Sequence, residues 1–156
     1  MTAGPAHIMH PLSYLTRHSL AVLARPQRYL VDMDTNIDIP HWLVTDYRWE
    51  PDPLGGWLDH AQHPTDTLAS DRGDCVDVAI LVGSWLASRG DSVYLGLSVR
   101  ANPRAPAHMV VSDGDRIYEG TGRHDPNGQI HDSLTDYLAD SPYSNVTFRR
   151  VVLGDE

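Results

Sequence analysis

The run Asp74-Cys75-Val76-Asp77-Val78-Ala79-Ile80-Leu81-Val82-Gly83-Ser84-Trp85-Leu86-Ala87-Ser88-Arg89-Gly90 limits what this chain can fold into more than any other segment. Asp74 is a favoured N-cap, the glycine after Arg89 is a C-terminal stop, and no proline lies between them. The spacing predicts a helix of about four turns. From Val78 to Val82 apolar side chains cover nearly its whole girth, leaving Asp77, Ser84 and Ser88 as a thin polar strip. Such a helix must be buried on most sides, so the remaining chain has to be built around it.

Beyond Gly90 the period changes from helical to alternating. Val93, Leu95, Leu97 and Val99 predict a strand over Ser92–Val99, and further strands are predicted over Ala107–Ser112, Arg116–Gly120 and Asn145–Leu153. Leu134, Tyr137 and Leu138 predict a short helix over Asp132–Asp140. Ahead of the central helix, Ser13–Ala24 reads as a helix stopped by Pro26 within an N-terminal helical segment 1–30, and Arg28–Met33 as a strand. Four prolines, Pro40, Pro51, Pro53 and Pro64, make the stretch from Asp34 to Ser70 short helices and loops, anchored to the core by Trp42, Trp49 and Trp57. One buried helix followed by mostly antiparallel strands implies an α+β fold, with the central helix packed on an antiparallel sheet. No repeat or linker divides the 156 residues, and a single domain over 1–156 is expected.

Several function classes are disfavoured. No apolar run approaches the ~18 residues of a membrane span, and Met1–Pro11 lacks the basic start and continuous apolar stretch of a secretory signal, so no membrane association is expected and a cytoplasmic location, or export by another route, is left, the cytoplasm being the expectation. A formal charge of −9, with arginines scattered singly apart from Arg149-Arg150, disfavours a nucleic-acid partner. All twelve basic residues are arginine, which hints at a GC-rich source. The single cysteine excludes an intramolecular disulfide, a Cys-rich zinc site and a CxxC redox pair.

That cysteine occupies the first position of the central helix, beside free backbone N–H groups and the positive end of the dipole, a setting that favours a thiolate nucleophile. Asp74 and Asp77 oppose it by charge; their capping role is the structural alternative, Asp74 taking the N–H of Val76 or Asp77 and Asp77 reaching back. A thiol nucleophile needs a base, and among nine histidines His108, at the start of a strand, is the candidate. With Asp113-Gly114 as the two central residues of a hairpin turn, Glu119 falls directly opposite His108, placed to accept the imidazole N–H. A turn one residue longer would bring Gly120 there instead, and Asp125 is the reserve acid.

Trp57-Leu58-Asp59, then His63-Pro64-Thr65-Asp66-Thr67-Leu68, then Arg72-Gly73-Asp74-Cys75-Val76-Asp77-Val78-Ala79 resembles the approach to the nucleophile in bacterial transglutaminase-like cysteine proteinases. Ala107-His108-Met109-Val110-Val111 and Ile117-Tyr118-Glu119-Gly120-Thr121 are similar to the family's histidine and acid strands. The resemblance covers roughly Asp46 to Thr121, about half the chain. It implies a papain-like transglutaminase core with Cys75, His108 and Glu119 as the catalytic residues. Glu119 stands where the family commonly has Asp. Val76 stands where Glu is frequent and can be a calcium ligand, so no calcium dependence is expected.

The expected activity is amide hydrolysis on a peptide or protein substrate through an acyl-enzyme at Cys75. Acyl transfer to an amine uses the same residues, and a catalytically silent binding or assembly module is the reading from another class. The Cys75 backbone N–H is the natural first oxyanion donor, with Trp42, Trp49, Trp57 or Gln62 as candidates for the second. No cofactor and no metal are expected: His60 with His63 and His7 with His10 share an i, i+3 spacing but lack a carboxylate at a ligand position.

Overall fold

The computed structural model describes residues 22–51, 61–102, 104–105, 107–120 and 127–152. Along the chain these form α1 (Ile39–Thr45), β1 (Arg48–Trp49), α2 (Pro64–Ser70), β2 (Arg72–Gly73), α3 (Cys75–Ser88), β3 (Val93–Val99), β4 (His108–Ser112), β5 (Ile117–Gly120), β6 (Gly128–His131), α4 (Leu134–Asp140) and β7 (Asn145–Val151). Residues 22–24 are helical and are followed by a 3-10 turn, Pro26–Arg28. Residues 13–21 of the expected first helix, Trp57, Asp125 and the histidines at positions 7, 10 and 60 lie outside the described residues.

The fold is α+β. Five strands make one sheet in the order β6-β5-β4-β3-β7, with every neighbouring pair antiparallel. Helix α3 lies on one face, where Val78, Ile80, Leu81 and Val82 join Leu95, Met109, Val111 and Tyr118 in the main core. On the other face Val110 and Ile117 meet Tyr137 of α4, with Tyr143, Val146 and Phe148 packed around them. The sheet is therefore covered on both sides, and all five residues of β4 are buried. Burial of a Val, Leu or Ile side chain contributes about 1.5–3 kcal/mol, which makes the apolar girth of α3 the main driving force of the fold. Among the described residues no helix is long and apolar enough to cross a membrane.

The polar strip of α3 holds backbone rather than facing water. Val31 N–H donates to Ser84 Oγ at 3.0 Å and Met33 N–H to Ser88 Oγ at 2.8 Å. This corrects the expected strand over Arg28–Met33: Arg28 closes the 3-10 turn, and residues 30–36 run as a strap outside any sheet. Alternate amides of an extended strap point the same way, and serines at i and i+4 of a helix share a face. The strap thus satisfies its donors on side chains instead of a neighbouring strand.

Two strands escape periodicity altogether, because β1 and β2 have two residues each. They pair in parallel, Arg48 with Arg72 and Trp49 with Gly73, and clamp the segment that leads into Cys75. Strand β6, absent from the sequence expectations, contains Ile130 as its only aliphatic residue and so carries no alternating signal.

The hairpin register also differs from expectation. Ser112 pairs with Ile117 and Val111 with Tyr118, so Glu119 does not stand directly opposite His108, and the loop Asp113–Arg116 is two residues longer than a two-residue turn. The cause is Asp113, whose Oδ1 accepts from the N–H groups of Asp115 (2.9 Å) and Arg116 (2.8 Å), wrapping the loop around one carboxylate. A shift of two residues preserves the face on which each side chain points. Glu119 therefore remains on the face of His108, as a diagonal neighbour, the kind of pair that longer side chains span.

Candidate active site

Cys75 is half-buried and is the first residue of α3. The capping expected around it is present in full: Asp74 Oδ1 accepts from Val76 N–H (2.9 Å) and Asp77 N–H (3.0 Å), and Asp77 Oδ2 accepts from Asp74 N–H (3.0 Å). The remaining oxygen of Asp77 accepts from Gln62 N–H at 2.8 Å, tying the preceding segment to the first turn of the helix. Gly73 is required by the closeness of this packing, because a Cβ there would lie 2.8 Å from Asp77 Cβ. Burial, followed by the charge of Asp74, pushes the Asp77 carboxyl up to about 7 against the pull of its two amide donors. Near neutrality Asp77 carries only part of a charge.

His108, the first residue of β4, is 8% exposed. Burial is the largest influence on its imidazole and favours the neutral form; hydrogen bonding and charge from Cys75, then hydrogen bonding from Glu119, outweigh it and hold its pKa well above the usual value. Glu119 Oε2 lies 3.4 Å from His108 Nε2. An unprotonated nitrogen facing a carboxylate would set lone pair against negative oxygen, so Nε2 carries a proton. The face of the imidazole is covered by Tyr143, whose ring stacks on it at 5.2 Å between centroids and 11° between planes. Arg100 lies over that tyrosine, 5.4 Å from its ring centroid.

Glu119 meets a second imidazole: its Oε1 is 3.5 Å from His131 Nε2, on β6. Both residues are buried, and their separations are those of ion pairs, since Glu119 Oε2 and His131 Nε2 make no hydrogen bond among the described residues. Burial alone would raise the carboxyl; His108 and His131 outweigh it and hold Glu119 down at about 2. No sequence signal pointed to His131 or Tyr143, because neither belongs to a local motif. Tyr47 was missed as well. It is buried, donates its hydroxyl to Gly73 O at 2.7 Å, and has its pKa raised by burial and then by the charges of Cys75, Asp74 and Asp77.

The structure thus brings Cys75, His108 and Glu119 together. Of the oxyanion candidates, Trp42 is buried and spends its indole N–H on Asp71 Oδ1 at 2.7 Å, which removes it. Trp49 is half-buried against the core in β1. Gln62 is held at the first turn of α3 through Asp77, and the capping carboxylate of Asp74 takes the N–H groups of Val76 and Asp77, leaving that of Cys75 aside. Among the described residues no group of three or more His, Cys, Asp or Glu side chains is placed to hold a metal ion. No family model, curated protein or solved structure matches the chain.

Proposed function

We propose that the protein is a cysteine-dependent amide hydrolase with a papain-like, transglutaminase-type core, acting on a peptide or protein substrate. The observation that carries this is one buried imidazole, His108, close enough to the half-buried Cys75 for the thiol to raise its pKa, and 3.4 Å from a buried carboxylate. A structural cysteine has no use for a basic neighbour held by an anion. In the proposed reaction the sulfur of Cys75, relieved of its proton by His108, attacks the amide carbonyl. The C–N bond then breaks as His108 returns the proton to the leaving amine, and water hydrolyses the thioester with His108 as base. The helix N-terminus supports the negative charge on sulfur and, through the Cys75 N–H, on the carbonyl oxygen of the transition state.

The test is the rate at which iodoacetamide alkylates Cys75, the only cysteine, as a function of pH. Labelling is expected to continue at about pH 6 and to slow by roughly tenfold or more in His108→Ala, because the thiolate is the reacting species and His108 stabilises it. Slow labelling that rises only in the alkaline range and is indifferent to His108 would overturn the proposal and favour a silent binding module.

A further inference from the structure

The described residues place two histidines, not one, on the carboxylate behind the cysteine. His131 comes from a strand with no resemblance to any catalytic motif, yet it is 7% exposed and its Nε2 is aimed at Glu119 Oε1 from 3.5 Å. Glu119 itself is 5% exposed. A buried carboxylate with one partner has a free oxygen that water cannot reach, and a charge left so is strongly disfavoured. Each oxygen of Glu119 instead faces a different imidazole, Oε2 toward His108 and Oε1 toward His131. His131 is held in turn: Tyr137 packs edge-on against its ring at 5.1 Å, and its Nδ1 lies 4.0 Å from Asp140 Oδ2, an exposed carboxylate on α4.

Resting on the hydrolase reading above, we propose that His131 is a positioning residue that keeps Glu119 ionised and turned toward His108, so that the working unit is Cys75, His108, Glu119 and His131. Among the described residues, the charged and titratable groups facing this pair are His108 from β4, Tyr137 and Asp140 from α4 and, beyond His108, Cys75 from α3. Tyr137 meets His131 through its ring, and its hydroxyl is paired with Ser98 Oγ at 2.7 Å. Without His131 the carboxylate keeps one imidazole, protonates at a higher pH, and releases His108 when it does.

The chain has only three glutamates, Glu50, Glu119 and Glu156. The ¹³C carboxyl resonances of protein labelled at glutamate can therefore be followed one by one, with Glu119 assigned from Glu119→Gln. In the native protein Glu119 is expected to titrate below the other two. In His131→Phe, which keeps a ring against Tyr137 but no donor, its midpoint is expected to rise by about one unit or more, the scale on which one nearby cationic partner acts. His131→Gln, which restores an N–H near the Nε2 position, should return it most of the way. His131→Asn, polar but too short to reach, replaces the phenylalanine variant if that fails to fold.

Alkylation of Cys75 in the same proteins is expected to fall off at higher pH in His131→Phe than in native protein. An unmoved Glu119 titration in the folded Phe or Asn variant overturns the proposal, as does a native-like alkylation profile. Failure of the hydrolase reading shows separately, as alkylation in native protein that does not respond to His108→Ala.

Discussion

Glu119 is one residue on which the chemistry and the burial make opposite demands. A carboxylate 5% exposed would ordinarily take up a proton, and here it is held down at about 2 because two imidazoles outweigh its desolvation. Glu119→Gln keeps the volume and deletes the charge. Its Nε2 amide would face the proton-bearing nitrogen of one histidine, donor against donor, which turns the ring or expels its proton. The expected result is a fall in the rate of Cys75 alkylation at neutral pH no larger than that of His108→Ala, and a fall in any amidase activity on the order of 10²-fold, the usual scale for losing an oriented base. A circular dichroism spectrum like that of native protein would show that the fold survives. Unchanged alkylation would mean that Glu119 is a bystander.

The same residue marks what the sequence can and cannot reveal about the site. Cys75 and His108 are legible because local chemistry exposes them, one at a helix N-terminus and the other at a strand start. Glu119 was reached through a two-residue turn that Asp113 does not allow, and it survives only because the error was even and kept the face. His131, Tyr143 and Tyr47 have no comparable signature. Their roles come from tertiary contacts, and spacing along the chain does not encode which strand lies at a sheet's edge.

At the scale of elements, α3 was read correctly from its girth, but the meaning of its polar strip was not. Asp77, Ser84 and Ser88 are the attachment points for Gln62 and for the strap at Val31 and Met33. A serine on a helix is an ordinary surface residue by propensity, and only the arrival of a distant backbone, 53 residues away for Ser84, gives it a partner. Gly83, between these attachment points, lets the strap approach, since a Cβ there would lie 3.2 Å from Leu30 Cδ2. Ser84→Ala removes the acceptor and leaves the Val31 N–H without its partner in a partly buried place. The expected cost is about 1–3 kcal/mol, read from the urea midpoint. Ser88→Ala should cost less, because the Met33 contact is exposed and water can replace the hydroxyl. Equal and negligible effects at both positions would show that the strap is not held by these bonds. Strands β3, β4, β5 and β7 were legible from alternation or continuous apolarity, whereas β1, β2 and β6 are too short or too polar to carry a period.

For the whole molecule, the groups around the site set how stability depends on pH, and their signs can be taken one at a time. Glu119 has a lowered pKa, so its contribution is complete above the ordinary carboxylate range near 4.3 and is lost as pH falls toward about 2. Asp113, lowered by the amides of Arg116 and Asp115 against its burial, acts in the same direction. Asp77 is the reverse case: raised to about 7, it contributes fully below about 3.9 and loses that contribution as pH rises to about 7. His108, also raised, contributes fully below about 6.5 and loses it as pH climbs through its higher folded value. The net charge of −9 at pH 7, with a pI of 5.3, adds self-repulsion on the same alkaline side. Acid loss and the decline that begins with Asp77 therefore meet at a maximum near pH ~4, below the neutral optimum common to small domains. Urea midpoints measured from pH 3 to 9 are expected to trace that maximum. In Asp77→Asn the midpoint should be lower throughout, because an amide NH₂ would face an N–H of Asp74 or Gln62, and it should no longer decline between about pH 4 and 7. A native maximum at or above neutrality, or an Asp77→Asn curve parallel to the native one, would show that Asp77 is an ordinary ionised cap.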